Sequence, residues 1–174
     1  MPLEIIGHAI VSADGMIADA THRMPAGLRN DADWRRFQAA LDSARLVVVG
    51  RLGHAAHPNP GRRRLVVTSS VAAFDDADPR AILWNPAGMR LDAVLDRLAI
   101  TNGIVAVTGG TRVFDLFLPW FTRFDLVHVA AITIPDGIPC FSSGPPRAVL
   151  ADAGLALTHE DQLDPDARLE VWSR

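Results

Sequence analysis

Val105-Ala106-Val107-Thr108-Gly109-Gly110-Thr111-Arg112-Val113-Phe114-Asp115-Leu116-Phe117-Leu118-Pro119 reads as a short apolar strand, a two-glycine turn and a helix halted at a proline. That order makes an anion site. The first N–H groups of a helix have no intrahelical partner, and the helix dipole adds partial positive charge there. A phosphate on such a turn satisfies both. Paired glycines let backbone approach a ligand with no Cβ in the way, and Arg112 adds a fixed charge. Gly-Gly alone also fits a plain strand-to-helix turn, and the full dinucleotide fingerprint is absent. The rest of the chain has to decide between the two.

The chain has 174 residues, 49% of them apolar, enough for one buried core and short for two, so a single domain over 1–174 is expected. A net charge of -3 gives no basic field, which argues against a nucleic-acid partner. One cysteine, Cys140, excludes an internal disulfide and a thiolate metal site, and fits a reducing cytoplasm. No apolar run approaches the roughly 18 residues of a membrane span, and residues 1–11 are too mixed for a secretion signal. A soluble cytoplasmic protein is the expectation.

Residues 3–11 form an apolar run ended by Ser12-Ala13-Asp14-Gly15, a buried strand entering a turn, and Met16-Ile17-Ala18 continues as a short apolar stretch. His8 within the strand is a core histidine or a pocket-lining one. Residues 19–29 lack periodicity and read as a loop. Trp34, Phe37 and Leu41 recur at helical spacing behind Asn30 or Asp31 as the cap. Leu46-Val47-Val48-Val49 before Gly50-Arg51 is a second continuous apolar strand. Pro58-Asn59-Pro60-Gly61 is a turn, and Arg62-Arg63-Arg64 leads into Leu65-Val66-Val67-Thr68, with Ser69-Ser70 at its end. Residues 81–84 read as another strand, and Leu91, Val94, Leu95 and Leu98 mark an amphipathic helix. A long strand over 124–134 follows Pro119, and residues 155–158 and 169–172 read as a terminal antiparallel pair.

Alternating strands and helices predict a three-layer α/β fold: a mixed sheet, parallel in its centre with an antiparallel C-terminal hairpin, and helices on both faces. Ligands bind such sheets at the carboxyl ends of the strands. Three exits carry suitable residues: Gly50-Arg51, Thr68-Ser69-Ser70 and Gly109-Gly110-Thr111-Arg112. Together they are able to hold a dinucleotide.

In order and near-spacing, Met24-Pro25, Leu28, Asp31, Trp34, Arg36, Val49-Gly50-Arg51, Pro60-Gly61-Arg62, Thr68-Ser69, Gly109-Gly110 and Phe117-Leu118-Pro119 resemble bacterial dihydrofolate reductase. Ser12-Ala13-Asp14-Gly15-Met16-Ile17-Ala18 and Asn59-Pro60 are similar to the sister reductase domain of riboflavin synthesis. The resemblance implies a dihydrofolate-reductase-like fold and NADPH as cofactor. It places Ile17, Gly50, Arg51, Thr68, Ser69, Gly109, Gly110, Thr111, Arg112 and Val113 against NADPH, with Arg51, Ser69 and Arg112 near its 2′-phosphate, where arginine's fork suits the charge. In that family the Gly109-Gly110 peptide is cis.

The resemblance also puts Asp31 at the family's buried carboxylate, where it would promote protonation of a C=N nitrogen while hydride goes to carbon. An aspartate at a helix start is otherwise a cap worth roughly 1 kcal/mol. Ile10, Arg35, Arg62 and Val127 fall at substrate positions. Arg62 either grips a folate-tail carboxylate or belongs to an exposed basic run. The chain departs from the dihydrofolate reductases at Val127, where a threonine is usual, at Ala26 for tryptophan, at Gly53 for threonine, and at Arg35 for an apolar residue. Each departure leaves the cofactor half intact and alters the substrate half.

The expected function is NADPH-dependent reduction of a conjugated nitrogen heterocycle, dihydrofolate or a related pterin. The alternatives are reduction of a ribosylaminopyrimidine of the 5-amino-6-(5-phosphoribosylamino)uracil class, and an NADPH-binding module without turnover. The expected partner is the small heterocycle, with the chain a monomer or homodimer. A metal site is not expected, since His54 and His57 lack an obvious third ligand.

Overall fold

Among the described residues, runs of β-branched residues build a sheet of nine strands, and polar turns return the chain to it. The computed structural model describes residues 1–57 and 61–174. In chain order the elements are β1 (Leu3–Ser12), β2 (Met16–Ala18), α1 (Asp31–Asp42), β3 (Leu46–Gly50), α2 (Arg51–Ala56), β4 (Arg64–Val67), β5 (Phe74–Asp75) and β6 (Ala81–Trp84). There follow α3 (Leu91–Arg97), β7 (Gly103–Val107), α4 (Thr111–Phe117), β8 (Arg123–Val129), β9 (Ile138–Pro139), α5 (Pro146–Asp152), β10 (Ala156–Gln162) and β11 (Ala167–Ser173). The predicted turn at Pro58-Asn59-Pro60-Gly61 lies at residues 58–60, outside the described residues.

The strand order is β10-β11-β8-β1-β7-β3-β4-β6-β5. The centre from β8 through β6 is parallel, whereas β11 and β10 run antiparallel at one edge and β5 at the other. This is the mixed sheet with a C-terminal hairpin expected from the sequence, with helices on both faces. Because side chains alternate along a strand, β1 sends Ile5 and Val11 into the larger core, where α3, α4 and α5 pack with Val94, Phe114, Phe117 and Leu150. Its other face meets α1, whose Phe37 and Leu41 cover Val47 and Ala106.

Four elements differ from expectation. The strand predicted over 124–134 ends at Val129, and Gly137 N–H closes a turn on the Ile134 carbonyl at 3.0 Å. Helix α1 buries Asp33 and Leu41 but leaves Trp34 59% exposed, so its inner stripe runs through positions 33, 37 and 41. Helices α2 and α5 are not expected from the sequence: α2 buries none of its residues and so carries no apolar stripe, whereas α5 packs inward through Pro146, Val149 and Leu150. Of the three aromatics after α4's first turn, Phe117 and Phe121 are buried and Trp120 is 40% exposed. Among the described residues, no helix is long and apolar enough to cross a membrane.

Candidate active site

Parallel pairing sets the strand exits side by side. Val48 registers with Val107, and Gly50 with Val67, so the carboxyl ends of β7, β3 and β4 share one edge of the sheet. Beside it, between α1, α2 and the strand ends, opens a cleft of about 720 Å³. A smaller hollow of about 270 Å³ beside α5 has Asp152 as its one ionisable lining side chain among the described residues.

Gly109 and Gly110 line the cleft, and the peptide between them is cis. Gly109 has φ +92°, and a Cβ there would lie 2.6 Å from Phe114, so only glycine fits. Its carbonyl accepts from the Gly50 N–H at 3.1 Å, locking two exits together. A Cβ on Gly50 would touch Val113, and one on Gly110 would point to Ile17 at 3.9 Å. The fold thus brings Ile17, Gly50, Gly109, Gly110 and Val113 together. Thr111 Oγ1 donates to the Pro139 carbonyl, tying the head of α4 to the β2–β9 ribbon. Thr68 is buried at the end of β4, with its hydroxyl bonded to Ser70 Oγ at 3.0 Å. Arg51, Ser69 and Arg112 are exposed, and the two arginines make no ion pair among the described residues.

The carboxylate side differs from the sequence reading. Asn30, not Asp31, caps α1: its Oδ1 accepts from the Asp33 N–H at 2.9 Å, and its Nδ2 donates to Asp164 at 2.7 Å. Asp31 is exposed and reaches only the cleft rim, so it is not the buried carboxylate. Asp33 is, at 8% exposure, and it also lines the cleft. Asp31 and Asp33 sit about 200° apart around the helix, so α1 can turn only one of them inward. Burial pushes the Asp33 carboxyl above its ordinary range, although Arg36 opposes the shift from 3.0 Å.

Arg36 bridges inward from Asp33 to Asp125 of β8, 3.0 Å from each. Asp125 also accepts from Arg123 at 2.6 Å, and registers across the sheet with His8 of β1. His8 Nδ1 lies 3.6 Å from Asp125, short of a hydrogen bond. Burial, helped by Arg36 and Arg123 and resisted by Asp125, pulls His8 down to about 4, so its ring is neutral at neutral pH. Sequence reasoning gave Asp33 and Asp125 no role. The spacing of Asp33 to Phe37 and Leu41, one residue every turn, is the signal that could have found the first.

The four expected substrate residues are not brought together. Ile10 lines the cleft. Arg35 is exposed, its charge felt by Asp164. Arg62 is engaged within the protein: Nε and Nη2 donate to Asp42, Nη1 to Gln38 Oε1 at 2.9 Å, and Nη2 to the Gln38 carbonyl. Val127 is fully buried against Leu169 and Val171, behind Ile10 and off the cleft lining. Arg64, placed in the basic run by sequence, instead enters the cleft at 6% exposure.

The Ser12-Ala13-Asp14-Gly15 loop proves to be scaffolding. Ser12 Oγ donates to Asp14, which accepts from the Ile134 N–H at 3.0 Å, and the Gly15 carbonyl accepts from the Cys140 N–H. These bonds hold the loop that delivers Ile17 to the cleft. Among the described residues, no group of three metal-ligating side chains occurs.

No protein-family model matches the sequence, and no curated protein matches it. Solved structures do. A diaminohydroxyphosphoribosylaminopyrimidine deaminase/5-amino-6-(5-phosphoribosylamino)uracil reductase from Thermotoga maritima superposes with TM-score 0.72 at 14% identity, over 99% of this chain. This chain spans 56% of that enzyme's length. A protein from Shewanella sp. PV-4, described as one of riboflavin biosynthesis, gives 0.68 at 16% identity, over 100% of this chain and 99% of its own. Dihydrofolate reductase from Enterococcus faecalis, complexed with NADP(H) and an inhibitor, gives 0.69 at 16% identity, over 98% and 96%. At such identities the likeness is one of fold: the chain has the dihydrofolate-reductase-like fold.

Proposed function

We propose that this protein is an NADPH-dependent reductase of a conjugated nitrogen heterocycle. The observation that carries the reading is the cleft itself, which sets a side-chain-free Gly109-Gly110 floor against a buried carboxylate of raised pKa, Asp33. Two features fit the cofactor. The turn that lines the cleft needs glycine at Gly109, where a Cβ would strike the Phe114 ring, and Arg51 and Arg112 flank the strand exits without internal partners among the described residues. Ile17, Gly50, Gly109, Gly110, Thr111 and Val113 would hold the dinucleotide, with Thr68, Ser69, Arg51 and Arg112 toward its phosphates. When bound, NADPH supplies hydride to the carbon of a C=N bond.

The nitrogen of that bond needs a proton. Asp33 holds one at a higher pH than an exposed aspartate, because its ionised form is partly denied solvent. Arg36 orients the carboxyl, and neutral His8 and Phe37 wall the cleft beside it. Asp31 at the rim is the second candidate for this role. Arg62 is already bound to Asp42 and Gln38, so a tail carboxylate would have to displace internal bonds. That observation speaks against Arg62 as the clamp for a folate tail.

NADPH oxidation assayed with dihydrofolate, dihydrobiopterin and 5-amino-6-(5-phosphoribosylamino)uracil tests the proposal. Turnover with one of them is expected. NADPH bound tightly without turnover of any would leave a binding module, and no NADPH binding would overturn the reading.

A further inference from the structure

Residues 62–64 enter β4 as three consecutive arginines, and each has a different fate. Arg62 is consumed by Asp42 and Gln38 of α1. Arg63 leaves on the opposite face, where Nη1 donates to the Leu98 carbonyl at 3.3 Å. Arg64 registers with Val47 of β3 and lines the cleft together with Leu41, and His54 feels its charge. It is 6% exposed, and its Nε and Nη1 find no hydrogen-bond partner and no carboxylate within ion-pair distance among the described residues. The acid whose charge it feels is Asp78, which already accepts from the Arg80 N–H.

Two guanidinium nitrogens buried with no partner among the described residues are a costly arrangement, since they lose water without gaining a hydrogen bond. The planar guanidinium fork presents paired donors matched to an oxyanion. We propose that Arg64 is the receptor for an anionic group, phosphate or carboxylate, on the molecule that enters this cleft. The substrate would then carry its charge at the α1–α2 end, away from the glycine floor, and Arg64 rather than Arg62 would read it. The site stands on the cleft geometry; only the identity of the ligand's remaining part rests on the reductase reading.

Calorimetric titration of the full chain with ribose 5-phosphate and with p-aminobenzoylglutamate separates the two anion sources, with ribose as the neutral control. At least one anion is expected to bind, about tenfold or more weaker to Arg64→Met, intermediate to Arg64→Lys and unchanged in Arg62→Met. Thermal melts provide the second readout. Arg64→Met should melt at or above the wild-type temperature, because it removes two buried donors without partners among the described residues, whereas loss of a structural arginine would lower it. Failure of both anions to bind, or equal binding to Arg64→Met, or a lower melting temperature for that variant, would overturn the assignment. NADPH binding to the wild type, measured separately, tells the two readings apart: Arg64-dependent anion binding without NADPH binding sinks the reductase alone.

Discussion

Asp33 and Glu170 are both buried carboxylates beside arginines, on opposite faces of one sheet, and their environments push them in opposite directions. Glu170 of β11, 1% exposed, accepts from Arg147 of α5 and from Trp172 Nε1 at 3.1 Å. Burial raises its carboxyl, but those bonds outweigh it and hold Glu170 below the usual carboxylate range. Asp33 has Arg36 alone, shared with Asp125, and there burial wins. The first carboxylate is fastened for structure. The second is left reluctant to ionise at the wall of a cleft.

The largest expected effect breaks the comparison on the Asp33 side. Asp33→Asn should lower turnover by roughly a hundredfold to ten-thousandfold while NADPH affinity, read by fluorescence, holds. Its melting temperature should not fall at neutral pH: a raised folded pKa means that ionisation of Asp33 costs stability as pH rises through that pKa, and asparagine removes the cost.

His8 comes next. Its folded pKa lies below the ordinary 6.5, so its contribution to stability is present above that pH and is lost as pH falls toward about 4. The loss is on the order of 3 kcal/mol. Melts taken across this range should show a shallower acid limb for His8→Leu, and parallel limbs would remove His8 from the account.

On the opposite face, Glu170→Gln should destabilise by about 2 kcal/mol, discounted because the Arg147 side chain is half in solvent. Denaturant titration measures it, and turnover should be unchanged. The smallest effect is at the rim. Asp31→Asn should alter stability by about 0.5 kcal/mol through the helix dipole, against about 1 kcal/mol for the true cap in Asn30→Ala, both by thermal melts.

The fold was legible where local pattern and global role agree. The Val- and Ile-rich runs of β1, β3, β4 and β7, the spacing of Leu91, Val94, Leu95 and Leu98, and the terminal hairpin follow from periodicity. The Gly109-Gly110 turn could be placed because at Gly109 the backbone tolerates no other residue. Helix phase was the weak point. Trp34 is the more apolar residue, yet Asp33 faces inward, since the cluster of Arg36, Asp125 and His8 makes a polar place for it that no local pattern reveals. The basic run hid a second non-local fact: tertiary packing binds Arg62 to α1 and Arg63 to the Leu98 carbonyl, but leaves Nε and Nη1 of Arg64 without a partner among the described residues.

The most direct test is the single-turnover rate of hydride transfer against pH, in the wild type and in Asp33→Asn, with whichever heterocycle is turned over. The wild-type rate should fall as pH rises through a carboxyl pKa above the ordinary aspartate value, and that limb should vanish in Asp33→Asn while persisting in Asp31→Asn. A limb that survives in Asp33→Asn, or that disappears only in Asp31→Asn, would contradict the account.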